Sequence, residues 1–196
     1  MQTSTTLIYR VKAMEPEAWR RFVHLYGPLV YRWCRHAGLR DDDAADVGQD
    51  VFQAVARKIA GFSHDRPGAT LRGWLWRITK NKVADAARGK LPGAEPVGGT
   101  DGLTVVNNLP APDPGEADDP RTPDPEEDRI LLRRALDLIL DTFSDESRRA
   151  FQMVVVEGRP AADAARELGL TVNAVYLAKS RIKKRLKAEF DGVLDL

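Results

Sequence analysis

EGRPAADAARELGLTVNAVYLAKSRIKKRL, residues 157–186, holds two helical periods separated by a turn signal. Pro160 opens a short helix in which Ala161, Ala164, Ala165 and Leu168 recur at three- and four-residue steps, and Gly169 closes it. Glycine reaches the left-handed conformation without Cβ strain, so Gly169 suits a tight turn with Leu170 plugging the core behind it. Thr171 then caps a second helix, running to about Phe190, that buries Val175, Ala178 and Ile182. The small alanines let the two helices cross closely. The pattern is a helix-turn-helix; the competing reading is a plain helical hairpin with a solvated basic face.

Turned away from that core are Val172, Asn173, Tyr176, Lys179, Ser180 and Lys183. Such a set suits a DNA major groove: an Asn pairs bidentately with adenine, Val and Tyr touch thymine methyls, and Lys and Ser bind phosphates. Thr171 and Arg181 complete the candidate DNA-binding set, and Lys184, Arg185 and Lys187 extend it as a basic tail. Upstream, Ile130 to Phe143 is apolar at helical spacing, and Ser144 is placed to cap a helix ending at Gly158. The MVVV run at 153–156 sits inside a helical period and reads as buried helix.

Further upstream, residues 91–128 carry eight of the twelve prolines and almost no apolar periodicity. That composition buries too little apolar surface to offset chain ordering, so the segment is expected to be a flexible linker. Residues 1–90 form the other unit. Pro16 suits a first helical turn, and Trp19, Phe22, Tyr26, Leu29, Val30, Trp33 and Ala37 recur at helical steps up to Gly38. Pro28 lacks the amide that bonds back one turn, which predicts a kink or two helices end to end. A second helix starts at Asp41, Asp42 and Asp43, whose charges suit the positive end of the helix dipole, and buries Val47, Val51, Val55 and Ile59. A third, capped by Thr70, turns Leu71, Trp74, Leu75 and Ile78 inward and leaves basic faces. The expected class is all-α, with two small helical domains (1–90 and 129–196) around the linker.

Charge divides the same way. Residues 1–90 hold 16 Lys+Arg against 9 Asp+Glu, residues 91–128 hold 1 against 10, and residues 129–196 hold 13 against 10. Two basic ends flanking an acidic middle suggest two polyanion-binding surfaces, which the near-neutral total conceals. No stretch approaches the roughly 18 apolar residues of a membrane span, and MQTSTTLIYRVKAM lacks the pattern of a secretion signal, so the expected location is cytoplasmic. The single Cys34 and the scattered His24, His36 and His64 give no metal-ligand spacing, and no nucleophile–base constellation or phosphate-binding glycine loop appears. Neither cofactor nor catalysis is expected.

Three blocks in order resemble the extracytoplasmic-function (ECF) sigma factors of bacterial RNA polymerase, over about Glu17 to Phe190. DAADVGQDVF (43–52) is similar to the family's acidic helix that grips the polymerase clamp. LRGWLWRITKNKVAD (71–85) is similar to the segment that melts and reads the promoter −10 element, and the helix-turn-helix to the module that reads the −35 element. VNAVYLAKSR is close to the version in a planctomycete-like subgroup. Ala45, Gly48, Pro160 and Ala161 depart from the usual pattern.

The resemblance implies an alternative sigma factor whose partners are core RNA polymerase and promoter DNA, with an anti-sigma factor as a further candidate. It implies polymerase contact by Asp46, Gln49, Asp50 and Gln53, which share one side of the second helix. It implies −10 contact by Trp76, Arg77, Lys80, Asn81, Lys82 and Arg88, with Trp76 offset from the core Trp74 and placed to stack on an unpaired base. Asp85 is expected to orient neighbouring basic residues. The alternative is a stand-alone helix-turn-helix regulator, which needs a sensor domain or dimer interface where residues 1–90 offer a second basic, aromatic surface.

Overall fold

The structure, a computed structural model, describes residues 6–63, 70–89 and 124–194. Eight α-helices follow one another there: α1 Leu7–Lys12, α2 Pro16–His36, α3 Asp41–Lys58, α4 Leu71–Ala87, α5 Pro125–Leu140, α6 Asp145–Phe151, α7 Ala161–Leu168 and α8 Val172–Phe190. A 3-10 turn, Ile59–Gly61, extends α3, and a π-helical turn, Gln152–Val156, extends α6. Among the described residues the only β-type pairing is an isolated bridge between Asp191 and Leu194. The class is all-α.

The helix starts follow their sequence signals. Thr70 Oγ1 accepts from Gly73 N at 2.9 Å, Ser144 Oγ from Ser147 N at 3.4 Å and Thr171 Oγ1 from Ala174 N at 3.1 Å. Three aspartates fill the first turn of α3. Pro28 lies inside α2, which runs unbroken from Pro16 to His36 instead of dividing there. The helix is held by its stripe of Phe22, Leu25, Tyr26, Leu29, Val30 and Trp33, all buried, whose packing outweighs one missing backbone bond.

Helices α2, α3 and α4 pack against one another, with α1 laid across α2. The valines of α3 lie in this core: Val47, Val51 and Val55 are at most 2% exposed. The last helices form a second, smaller core in which Ala150, Met153, Ala161, Ala164, Ala165, Val175 and Ala178 meet.

Two findings go beyond the sequence expectation. Helix α5 begins at Pro125, inside the segment read as linker, because Asp124 caps it through Glu126 N at 2.9 Å, Pro125 stands in its first turn, and Glu126, Glu127 and Asp128 suit its positive end. The rest of that segment, residues 91–123, lies outside the described residues. Secondly, the two ends of the chain pack on each other, a contact about which the sequence patterns say nothing. Helix α5 packs along α2, α8 packs on α5 and α1, and Leu131, Leu136, Ile139, Ile182, Leu186, Phe190, Val193 and Leu194 join the core of α1–α4 in one cluster.

Candidate polymerase and DNA interfaces

The helix-turn-helix is built by α7 and α8. Gly169 takes φ 66° and ψ 26°, in the left-handed region, and Leu170 N bonds back to Ala165 O at 2.9 Å, which closes the end of α7. The Arg159 guanidinium pairs with Glu167 at 2.6 Å and lies 3.8 Å from Glu157, fixing the start of α7 to its end. The Glu167 hydrogen bond holds the Arg159 guanidinium still more firmly protonated than usual.

The face of α8 opposite its core carries the candidate set. Thr171, Val172, Asn173, Tyr176, Ser180, Arg181 and Lys183 are exposed and Lys179 is half-buried, whereas Val175, Ala178 and Ile182 are buried. Val172 and Tyr176 are 40% and 55% exposed, and the neighbouring Leu177 46%. An apolar and amide-bearing stripe backed by lysines, free of internal packing, has the chemistry of a major-groove reader. Because Thr171 supplies the cap, the amide of Asn173 is left for other contacts.

On α4, Arg77 and Asn81 are exposed and Lys80 and Lys82 half-buried, and Arg88, the residue that caps its C-terminus, is exposed. Arg88 Nη2 donates to Asp85 Oδ1 at 2.8 Å, so Asp85 orients one basic neighbour. Trp76 does not stand off the core: it is 2% exposed, while Trp74 is the half-buried tryptophan, against Phe62 at 5.2 Å between ring centroids. The buried side of α4 is wider than the apolar period suggests, taking in Arg72, Trp76 and Thr79 as well as Leu75 and Val83. Thr79 is accommodated by donating to Leu75 O at 2.9 Å. Lys80 Nζ sits 5.3 Å over the Trp76 ring, and burial lowers its pKa. Trp76 therefore supports a cation in the basic surface, and any stacking on a base requires it to swing out.

On α3, Asp46, Gln49 and Gln53 are exposed and Asp50 is half-buried. Gln49 and Gln53, but neither Asp46 nor Asp50, line a groove of about 580 Å³ between α2 and α3, together with Trp19, Gly27, Gly48 and Phe52 among others. A Cβ added at Gly27 or Gly48 meets nothing within 4 Å, so both glycines leave open space instead of admitting a close neighbour. In the sequence Gly48 stands out only as a departure from the family pattern. Its role as groove floor depends on how α2 crosses α3.

An all-α molecule with a helix-turn-helix at one end and a second basic surface on α4 is a DNA-binding transcription protein. Residues 22–90 match the Sigma-70 region 2 family and residues 133–186 match Sigma-70, region 4. RNA polymerase sigma factor CnrH of Cupriavidus metallidurans is 31% identical over 183 residues, covering 89% of this chain and 87% of that one. ECF RNA polymerase sigma factor SigD of Mycobacterium tuberculosis is 29% identical over 184 residues, covering 90% of this chain and 79% of that one. A solved structure of CnrH in complex with the cytosolic domain of CnrY aligns over 93% of each chain, at 24% identity and a TM-score of 0.37. The chain belongs to the ECF sigma factors. It is an alternative sigma factor, a non-enzymatic initiation factor whose partners are core RNA polymerase and promoter DNA. No described helix is long and apolar enough to cross a membrane.

Proposed function

We propose that this cytoplasmic factor divides promoter recognition between its two ends, with residues 1–90 serving polymerase and the −10 element and residues 129–196, extended by the first turn of α5, serving the −35 element. The exposed face of α8 behind the Gly169 turn carries this reading, because it presents base-reading and phosphate-binding groups free of internal packing. Thr171, Val172, Asn173, Tyr176, Lys179, Ser180, Arg181 and Lys183 meet the −35 element. Arg77, Lys80, Asn81, Lys82 and Arg88 meet the −10 element, with Trp76 beneath Lys80. Asp46, Gln49, Asp50 and Gln53 meet a basic surface of core polymerase, with Gln49 and Gln53 at the groove between α2 and α3. VNAVYLAKSR at 172–181 supports a place in the planctomycete-like subgroup. An anti-sigma factor is a further partner, a reading supported by the solved complex of the relative CnrH with the cytosolic domain of CnrY.

In-vitro transcription with and without core polymerase tests the proposal. Initiation should require both proteins, and replacing the α8 reading set should abolish it at promoters that depend on a −35 element. Tight, specific binding of one promoter by the free chain, unaffected by polymerase, would instead mark a stand-alone regulator.

A further inference from the structure

Helix α1 precedes residue 22, where the match to Sigma-70 region 2 begins. Its backbone is anchored: Leu7, Ile8 and Val11 are at most 5% exposed, and Arg10 Nε pairs with Glu15 Oε2 at 2.7 Å across the turn into α2. Tyr9 is left on the outside, 58% exposed. A single exposed aromatic carries no message by itself, but this one borders a cation and stands at the end of a run of rings. Lys12 Nζ lies 6.0 Å from the Tyr9 ring centroid and 5.7 Å from that of Phe62, and it donates to Phe62 O at 2.5 Å. The Phe62 ring is in turn 5.2 Å from Trp74, the half-buried tryptophan of α4.

Trp74, Arg77 and Asn81 follow one another at three- and four-residue steps, so they share one side of α4. Tyr9, Lys12, Phe62 and Trp74 therefore carry the basic surface of α4 past the 3-10 turn and onto α1, with Tyr9 as the exposed aromatic at its end. Trp76 does not fill that place, being 2% exposed beneath Lys80. Rings and cations side by side suit a single strand, whose bases stack on aromatic faces while its phosphates meet the positive charges. In a duplex each base is covered by its neighbours, so a fixed ring gains a stack only where strand separation has exposed one.

We propose that Tyr9 is a base-stacking residue for the separated strand of the −10 element, adding helix α1 to the surface that α4 presents. The proposal rests on the −10 reading of α4. Because α1 is held down by Leu7, Ile8 and Val11, the Tyr9 ring is presented to the strand without the cost of ordering a loop.

The test compares the full chain with its Tyr9→Ala, Tyr9→Phe and doubly substituted Arg77→Ala, Asn81→Ala variants, each bound to core polymerase. Two probes are taken from a promoter at which the factor initiates: one whose −10 region is held unpaired by mismatches, and a duplex that ends upstream of the −10 element. Tyr9→Ala should bind the unpaired probe about 5- to 150-fold more weakly, the loss of one base–aromatic stack, and bind the upstream duplex as wild type does. Tyr9→Phe should restore the affinity, since it keeps the ring. Unchanged binding of the unpaired probe by Tyr9→Ala overturns the proposal, and so does an equal loss on both probes, which would mark a defect in folding or polymerase binding. If the α4 variant loses the unpaired probe while Tyr9→Ala keeps it, Tyr9 alone is removed from the interface; if neither loses it, the −10 reading of α4 falls as well.

Discussion

Asn173 and Lys183 lie on the same exposed face of α8 and should fail in different ways. Asn173 is the second residue of the helix, two positions after the Thr171 cap, and Lys183 follows about 15 Å further along the axis at about 1.5 Å per residue. With the helix N-terminus inserted in the major groove, the Asn173 amide reaches base edges, whereas Lys183 stands where the helix has risen to the phosphate backbone. Replacing Asn173 with Ala should remove about 1–3 kcal/mol of discrimination, roughly a 5- to 150-fold loss of selectivity at one position of the −35 element. Helix stability should hardly change, because the cap hydrogen bond belongs to Thr171 and Asn173 itself is exposed. Replacing Lys183 with Ala should weaken every promoter alike and flatten the logarithmic salt dependence by about 0.9, one phosphate contact. The assay is affinity of the polymerase-bound factor for a set of single-base promoter variants at two salt concentrations. If Asn173→Ala lowers binding to every variant equally, Asn173 touches the backbone and the assigned rotation of α8 in the groove is wrong.

Reversing Asp46 and Asp50 to Lys should weaken core-polymerase binding at least tenfold in a pull-down while the circular dichroism stays helical, and undiminished affinity would remove α3 from the interface. Gly169→Ala should destabilise the chain by about 1–2 kcal/mol through backbone strain alone, since φ is 66° and an added Cβ meets nothing within 4 Å, and denaturant unfolding measures it. Burial pushes the Cys34 thiol up to about 12 from an ordinary value of 9.0, so the unfolded chain loses this proton first as pH rises. The stability contributed by the neutral thiol is complete below pH 9.0 and declines by about 1.4 kcal/mol per unit up to about 12. The difference between wild type and Cys34→Ala in alkaline unfolding should follow that slope, and a constant difference across the range would refute it.

The sequence alone determined the helices and their caps, because these rest on local chemistry. Gly169 needs no neighbour to favour a left-handed turn, and Thr70, Ser144 and Thr171 bond to amides three residues away. The split of α8 into a buried Val175–Ala178–Ile182 stripe and an exposed reading face was legible for the same reason, since a 3.6-residue period fixes which side chains share a side. Where helices meet on more than one side, period stopped being enough. Trp76 appeared free because Trp74 and Leu75 already supplied an inward face for α4, yet the bundle buries a second face and takes Arg72, Trp76 and Thr79 with it. Gly48 became the floor of a groove only through the crossing of α2 and α3. The prolines and acids before Ile130 read as linker until Pro125 proved to open α5 and Glu127 to seat on Trp33, a contact across 94 positions of sequence that no local pattern encodes. Tertiary structure decided that the two basic ends close on each other, because that closure depends on long-range burial and on donors and carboxylates that find partners only after the chain has folded back.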